Sequence, residues 1–141
     1  MTTNTATAQY KGLGKDGLGH VATKSGSVDA PYGFNTRFED KPGTNPEEMI
    51  AAAHASCFTM ATSFALAKAG YEDGQLDTQC TVTLEKDGDG FKVSKSALSL
   101  TAKVEGLAQD KFEEITDGTK AGCPISKLLD CEITLERTLQ S

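Results

Sequence analysis

The chain is 141 residues long, enough for one domain with its own core and short for two of ordinary size. Its 24% charged and 38% hydrophobic residues are a globular composition. A net charge of −6, with no run of like charge longer than two residues, excludes a basic nucleic-acid footprint and a patch for anionic membranes. Residues 1–8 are polar and threonine-rich, without the basic and apolar blocks of a secretory signal, so a cytoplasmic protein is expected.

Residues 7–40 read as short strands separated by glycine turns. Gly12-Leu13-Gly14-Lys15-Asp16-Gly17 matches GxGxxG, but no long helix follows and Lys15-Asp16-Gly17 is turn chemistry, so a nucleotide site is not expected. Tyr32, Phe34 and Phe38 fall within seven residues. Alternation there predicts a strand with Phe34, Thr36 and Phe38 on one face and Asn35 and Arg37 on the other. Asp40-Lys41-Pro42-Gly43 is a turn.

The period then changes. Asn45 is a helix N-cap, Pro46 suits the first helical position, and Glu47 and Glu48 favour the first turn. Met49 to Ala67 carries no charge, and Lys68 with Gly70 supplies the stop. The predicted helix is about 36 Å long. Its 19-residue charge-free stretch is long enough to cross a membrane, but His54, Ser56, Thr59, Thr62 and Ser63 argue against lipid. These small polar groups and the alanines predict a helix packed on nearly all sides. One small domain cannot cover it, so a partner subunit is expected on one side.

Residues 77–86 and 91–104 alternate and are joined by Lys86-Asp87-Gly88-Asp89-Gly90, a hairpin with a solvated tip. Leu98, Leu100, Ala102 and Val104 share its inner face. Residues 110–121 predict a helix ending near Gly122. A short helix begins at Pro124 with Cys123 as its N-cap, and a strand over 132–139 closes the chain.

The four cysteines are too few for a disulfide scaffold. Cys80 shares a face with Val82 and Leu84, and Cys131 with Ile133 and Leu135, so both read as small core residues. Cys123 starts a helix, where free N–H groups lower a thiol pKa, although the position equally suits a structural cysteine. Cys57 lies about three turns into the long helix, where burial raises its pKa unless a cation reaches it. The chain has two arginines, Arg37 and Arg137. Arg37 is either the activating cation or an ordinary surface arginine, and Glu47 or Glu48 is placed to orient it or simply supplies helix-start acidity. His54-x-x-Cys57 offers two metal ligands one turn apart or, on the other reading, a polar core histidine.

Three blocks together resemble the OsmC branch of the OsmC/Ohr peroxidases: residues 31–39 (PYGFNTRFE), 43–58 (GTNPEEMIAAAHASCF) and 120–127 (KAGCPISK). The resemblance covers the whole chain. It implies a single domain over 1–141 with an α+β fold, antiparallel sheets packed on long central helices, and an intertwined homodimer with active sites at the interface. It makes Cys57 the peroxidatic thiol and Cys123 the resolving thiol, with Arg37 and Glu47 as the polar partners that activate Cys57. The implied activity is reduction of organic hydroperoxides and hydrogen peroxide through a Cys57 sulfenic acid and a Cys57–Cys123 disulfide, in oxidative and osmotic stress defence. An external dithiol is the implied reductant, with no cofactor, metal, nucleic acid or membrane. Cys80 and Cys131 have no counterpart in the family's pattern.

Two further expectations come from position. Glu47 is ten residues before Cys57 on one helix, about 15 Å away, so any Glu47 assisting a given Cys57 comes from the partner subunit. Ile50, Ala53, Phe58, Met60, Ala61 and Phe64, with Tyr32, Phe34 and Phe38, predict an apolar channel favouring organic hydroperoxides. The competing readings are a cysteine hydrolase with His54 as base and a non-catalytic dimeric binding protein.

Overall fold

The computed structural model describes residues 1–140, which form two compact units meeting in the chain between Met49 and Ile50. The first unit holds an antiparallel sheet in the order β1 (Ala6–Lys11), β2 (Leu18–Thr23), β3 (Asp29–Tyr32). The GxGxxG segment is the β1–β2 connection, wound into one 3₁₀ turn at Gly14–Asp16. Gly12 and Gly14 sit at φ 75° and 80°, a region that glycine enters without strain. At Gly17 a Cβ would lie 2.4 Å from the Tyr10 ring, so this glycine makes room for an aromatic and not for a phosphate.

Residues 34–38 correct the strand reading. They form a short helix, α1 (Phe34–Phe38). Thr36 closes its first turn: the Thr36 hydroxyl accepts from the Gly33 N–H at 2.7 Å and donates to the Gly33 carbonyl at 3.0 Å. The spacing misled because four residues return to the same face at both the strand and the helix period. Phe34 and Phe38 therefore still stack, centroids 5.0 Å apart. The helical period, however, turns Arg37 toward them, and its guanidinium lies 5.5 Å from the Phe38 centroid.

The long helix is α2 (Pro46–Lys68), and its ends are as expected. Asn45 Oδ1 accepts from the Glu48 N–H at 2.8 Å. At the other end Tyr71 N–H reaches Leu66 O at 2.9 Å and Gly70 N–H reaches Ala67 O at 3.0 Å, with Gly70 at φ 100°, a Schellman stop. Burial is narrower than expected. One stripe, His54, Phe58, Thr62 and Leu66, is covered, while Met60 and Phe64 are 58% and 70% exposed.

The second unit carries β4 (Gln75–Asp87), β5 (Gly90–Lys103) and β6 (Glu132–Gln140) in that order. β4 and β5 form the expected hairpin, with Gly88 at φ 63° in its two-residue tip and a register shift between Thr83 and Leu84. β6 runs parallel to β5, because α3 (Gln109–Gly122) and α4 (Pro124–Leu128) carry the chain back across the sheet before it pairs. Leu98, Leu100, Ala102 and Val104 of β5 pack with Phe58, Leu66, Phe112 and Cys123 in one core.

Candidate active site

Cys57 and Cys123 meet at the crossing of α2 with the α3–α4 junction. Two contacts hold α2 in place: Thr62 Oγ1 to Thr119 Oγ1 of α3 at 2.8 Å, and Thr59 Oγ1 to Thr78 Oγ1 of β4 at 2.6 Å. Pro124 cannot continue α3 through an amide bond and instead opens α4, leaving Cys123 extended at φ −58°, ψ 128° and fully buried. Cys57 is half-buried, and both thiols are free.

The two thiols lie close enough to influence each other's titration, and their surroundings shift their pKa values in opposite directions. Burial pushes Cys57 up, and so does the neighbouring Cys123, against the backbone at Ile125. Burial also pushes Cys123 up, but the polar groups around its sulfur, Cys57 and the start of α4 at Ile125 and Ser126, outweigh it, so the Cys123 pKa is lowered. The directions make Cys123 the more acidic thiol of the two. Sequence reasoning expected Cys57 to rise without a cation and Cys123 to fall at a helix start. Both directions hold.

Cys80 and Cys131 are half-buried, and burial raises both. They flank β5 from β4 and from the bend before β6. His54 is fully buried, and serine hydroxyls occupy both its nitrogens: Ser96 Oγ at 2.6 Å from Nδ1 and Ser126 Oγ at 2.8 Å from Nε2. Neither nitrogen is turned to Cys57, which removes the hydrolase base and leaves the polar core reading. Burial lowers its pKa, so the ring is neutral.

In the first unit, Arg37 and Glu47 form a two-pronged ion pair, Nε to Oε2 at 3.1 Å with Nη2 bonded to Oε1. Their side chains are 33% and 12% exposed, so the pair is largely withdrawn from water. Glu48 instead accepts from the Thr44 hydroxyl at 2.9 Å and belongs to the helix start. Beside the guanidinium a cavity of about 310 Å³ is lined by Tyr10, Lys15, Tyr32, Phe34 and Phe38. Lys15 and Tyr10 were missed by sequence reasoning, since strand pairing and the glycine turn bring them in and no local pattern marks them. Phe58, expected in an apolar channel, is instead sealed in the core of the second unit.

An α+β chain with two neighbouring free thiols of unequal acidity and a carboxylate-held arginine defines a two-cysteine thiol protein. The model of the OsmC-like protein family matches residues 38–137. Peroxiredoxin OsmC of Escherichia coli is 47% identical over 135 residues, covering 95% of this chain and 94% of that protein. The organic hydroperoxide resistance protein OhrB of Bacillus subtilis is 28% identical over 111 residues, 77% of this chain and 79% of its own length. The OhrB crystal structure superposes with a TM-score of 0.67, covering 96% of this chain and 98% of that one at 27% identity. An OsmC-like protein of unknown function from Vibrio cholerae reaches a TM-score of 0.77 at 18% identity, covering 97% and 99%. The chain belongs to the OsmC-like family.

Proposed function

We propose that this chain is a thiol-dependent peroxidase in which Cys57 attacks the peroxide and Cys123 resolves the product. The observation that carries the reading is the neighbouring pair of free thiols whose pKa values are shifted in opposite directions. The names of the relatives, a peroxiredoxin and an organic hydroperoxide resistance protein, support the same activity. The Cys57 thiolate attacks the distal oxygen of ROOH, the O–O bond breaks, and Cys57 becomes a sulfenic acid as RO⁻ leaves. The Cys123 S–H supplies the proton that makes ROH. The Cys123 thiolate then attacks the Cys57 sulfur, and hydroxide leaves as water with a proton from solvent. An external dithiol restores both thiols by exchange.

Arg37 supplies the cation that favours the Cys57 thiolate and stabilises the departing oxygen, and Glu47 holds its guanidinium in orientation. Glu47 stands about 15 Å along α2 from Cys57 of its own chain, so the Arg37–Glu47 pair serves the partner subunit's Cys57 in a two-fold homodimer. The exposed Met60 and Phe64 of α2 support such a partner. The aromatic cavity beside Arg37 supports organic hydroperoxides over hydrogen peroxide, in cytoplasmic defence against oxidative and osmotic stress. Each methylene buried there adds up to about 0.8 kcal/mol, so a four-carbon group is favoured by roughly a hundredfold where the contacts persist in the transition state.

The test is kcat/KM for cumene hydroperoxide against hydrogen peroxide under one saturating dithiol, with Cys57→Ser as the control. The expected ratio is well above one, with no turnover by Cys57→Ser. Catalysis surviving in Cys57→Ser would overturn the mechanism. A ratio at or below one would assign the aromatics to packing alone.

A further inference from the structure

We propose that His54 is a positioning residue for disulfide closure: bonded to Ser126, it fixes the turn of α2 that carries Cys57 against the segment that carries Cys123. The proposal rests on the reading of Cys57 and Cys123 as the peroxidatic and resolving thiols.

Two side-chain hydrogen bonds join α2 to the α3–α4 segment, and the thiols fall between them. His54 Nε2 lies 2.8 Å from Ser126 Oγ, and Thr62 Oγ1 lies 2.8 Å from Thr119 Oγ1. As the first partner moves forward along α2, the second moves back from α4 into α3, so the two segments pair in antiparallel order. Three residues forward from His54 stands Cys57, and three back from Ser126 stands Cys123. At a rise of about 1.5 Å per residue, the two bonds are ~12 Å apart along α2, with Cys57 about 4–5 Å from the His54 end. Cys57 also packs on the core cluster that contains Cys123. The order of these contacts sets the thiols opposite each other independently of their acidity.

The His54 bond is the nearer of the two and the better anchored. Nδ1 lies 2.6 Å from Ser96 Oγ of β5, so the ring is held from the sheet as well. Ser96 Oγ is in turn 3.2 Å from Cys80 Sγ of β4. His54 therefore joins α2, α4 and the sheet at one point, whichever nitrogen carries the hydrogen. His54, Ser96 and Ser126 are all buried, so water does not stand in for a lost partner. A ring held in this way limits how far Cys123 can drift from Cys57. Cys80, which the mechanism leaves unused, belongs to this anchor.

The test is the effective concentration of the Cys57–Cys123 disulfide in the full chain, equilibrated with glutathione and glutathione disulfide without peroxide. Each closure passes two electrons and two protons to one glutathione disulfide, which leaves as two thiols. The linked peptide is quantified by mass after an acid quench. A bond that only adds stability favours the reduced and disulfide forms alike and leaves this constant unchanged. Ser126→Ala should lower it about tenfold, the size expected of one buried hydrogen bond, and Ser126→Thr should restore it. His54→Gln, whose amide keeps a partner for Ser126, should stay near the parent. His54→Leu should fall as Ser126→Ala does and add nothing to it in combination. If His54→Leu fails to fold, the Ser126 pair still decides. Asn45→Ala loosens α2 at its far end and should leave the constant alone; a similar drop there would reduce the effect to general destabilisation and overturn the proposal. An unmoved constant in Ser126→Ala overturns it as well, while the peroxidase reading stands. A wild-type chain that forms no Cys57–Cys123 bond overturns both.

Discussion

At the scale of single residues, function turns on where one negative charge sits. Burial raises Cys57, and the polar surroundings at the start of α4 lower Cys123, so the charge is drawn toward Cys123. A peroxidatic Cys57 therefore needs an opposing pull, which the proposal gives to Arg37. Arg37→Ala should move the first alkylated sulfur from Cys57 to Cys123 in peptide maps at neutral pH and slow peroxide reduction by roughly 10²-fold, an effect of electrostatic stabilisation. Maps that still place the first label on Cys57 would return Arg37 to a structural role. The signs of the two shifts also fix a pH profile. The pair's first thiolate forms below the ordinary thiol range, because Cys123 is lowered. The second forms above it, because Cys57 is raised by burial and by the charge already present. Alkylation of the pair in Arg37→Ala should thus be biphasic in pH, and a single phase would contradict the unequal acidity of the two thiols.

At the scale of elements, α2 is the part on which the site depends, and its ends are set by local chemistry. Asn45→Ala removes the side-chain acceptor of the Glu48 N–H and should cost about 1 kcal/mol in denaturant melts. The middle of α2 depends on tertiary packing. Phe58 is fully buried next to Cys57, and Phe58→Ala should cost about 3–5 kcal/mol while lowering peroxidase activity through loss of the Cys57–Cys123 alignment. A Phe58→Leu protein with near-normal stability and activity would confirm that the position needs volume rather than an aromatic ring.

At the scale of the whole molecule, α2 buries one stripe and exposes Met60 and Phe64 on another, the pattern of a helix with a second face still to cover. The homodimer reading predicts sedimentation at twice the 14.9 kDa chain mass. Phe64→Glu should shift the protein to monomers, since a buried carboxylate opposite its own symmetry mate is doubly unfavourable. On the proposed assembly the monomer loses the partner's Arg37–Glu47 pair and most peroxidase activity. A monomer that keeps full activity would separate the arginine from the partner subunit.

How much of this was legible beforehand follows the range of the forces involved. Helix ends, the hairpin, the inner face of β5 and the Cys123–Pro124 junction were readable because neighbours in sequence supply the caps, turns and alternation. The acidity of Cys123 was readable for the same reason. The conformation of residues 34–38 was not, because a spacing of four satisfies strand and helix alike and only the Thr36 hydroxyl, folded back on Gly33, breaks the tie. The two acids at the start of α2 were equivalent by position. Arg37, ten residues earlier, separates them by taking Glu47 and leaving Glu48 to Thr44. His54 shows the division most plainly. The sequence by itself determined that a histidine stands one helical turn before Cys57. Tertiary structure alone decided that Ser96 and Ser126, 42 and 72 residues away, take its two nitrogens, since a buried polar atom accepts whichever partner folding delivers to it.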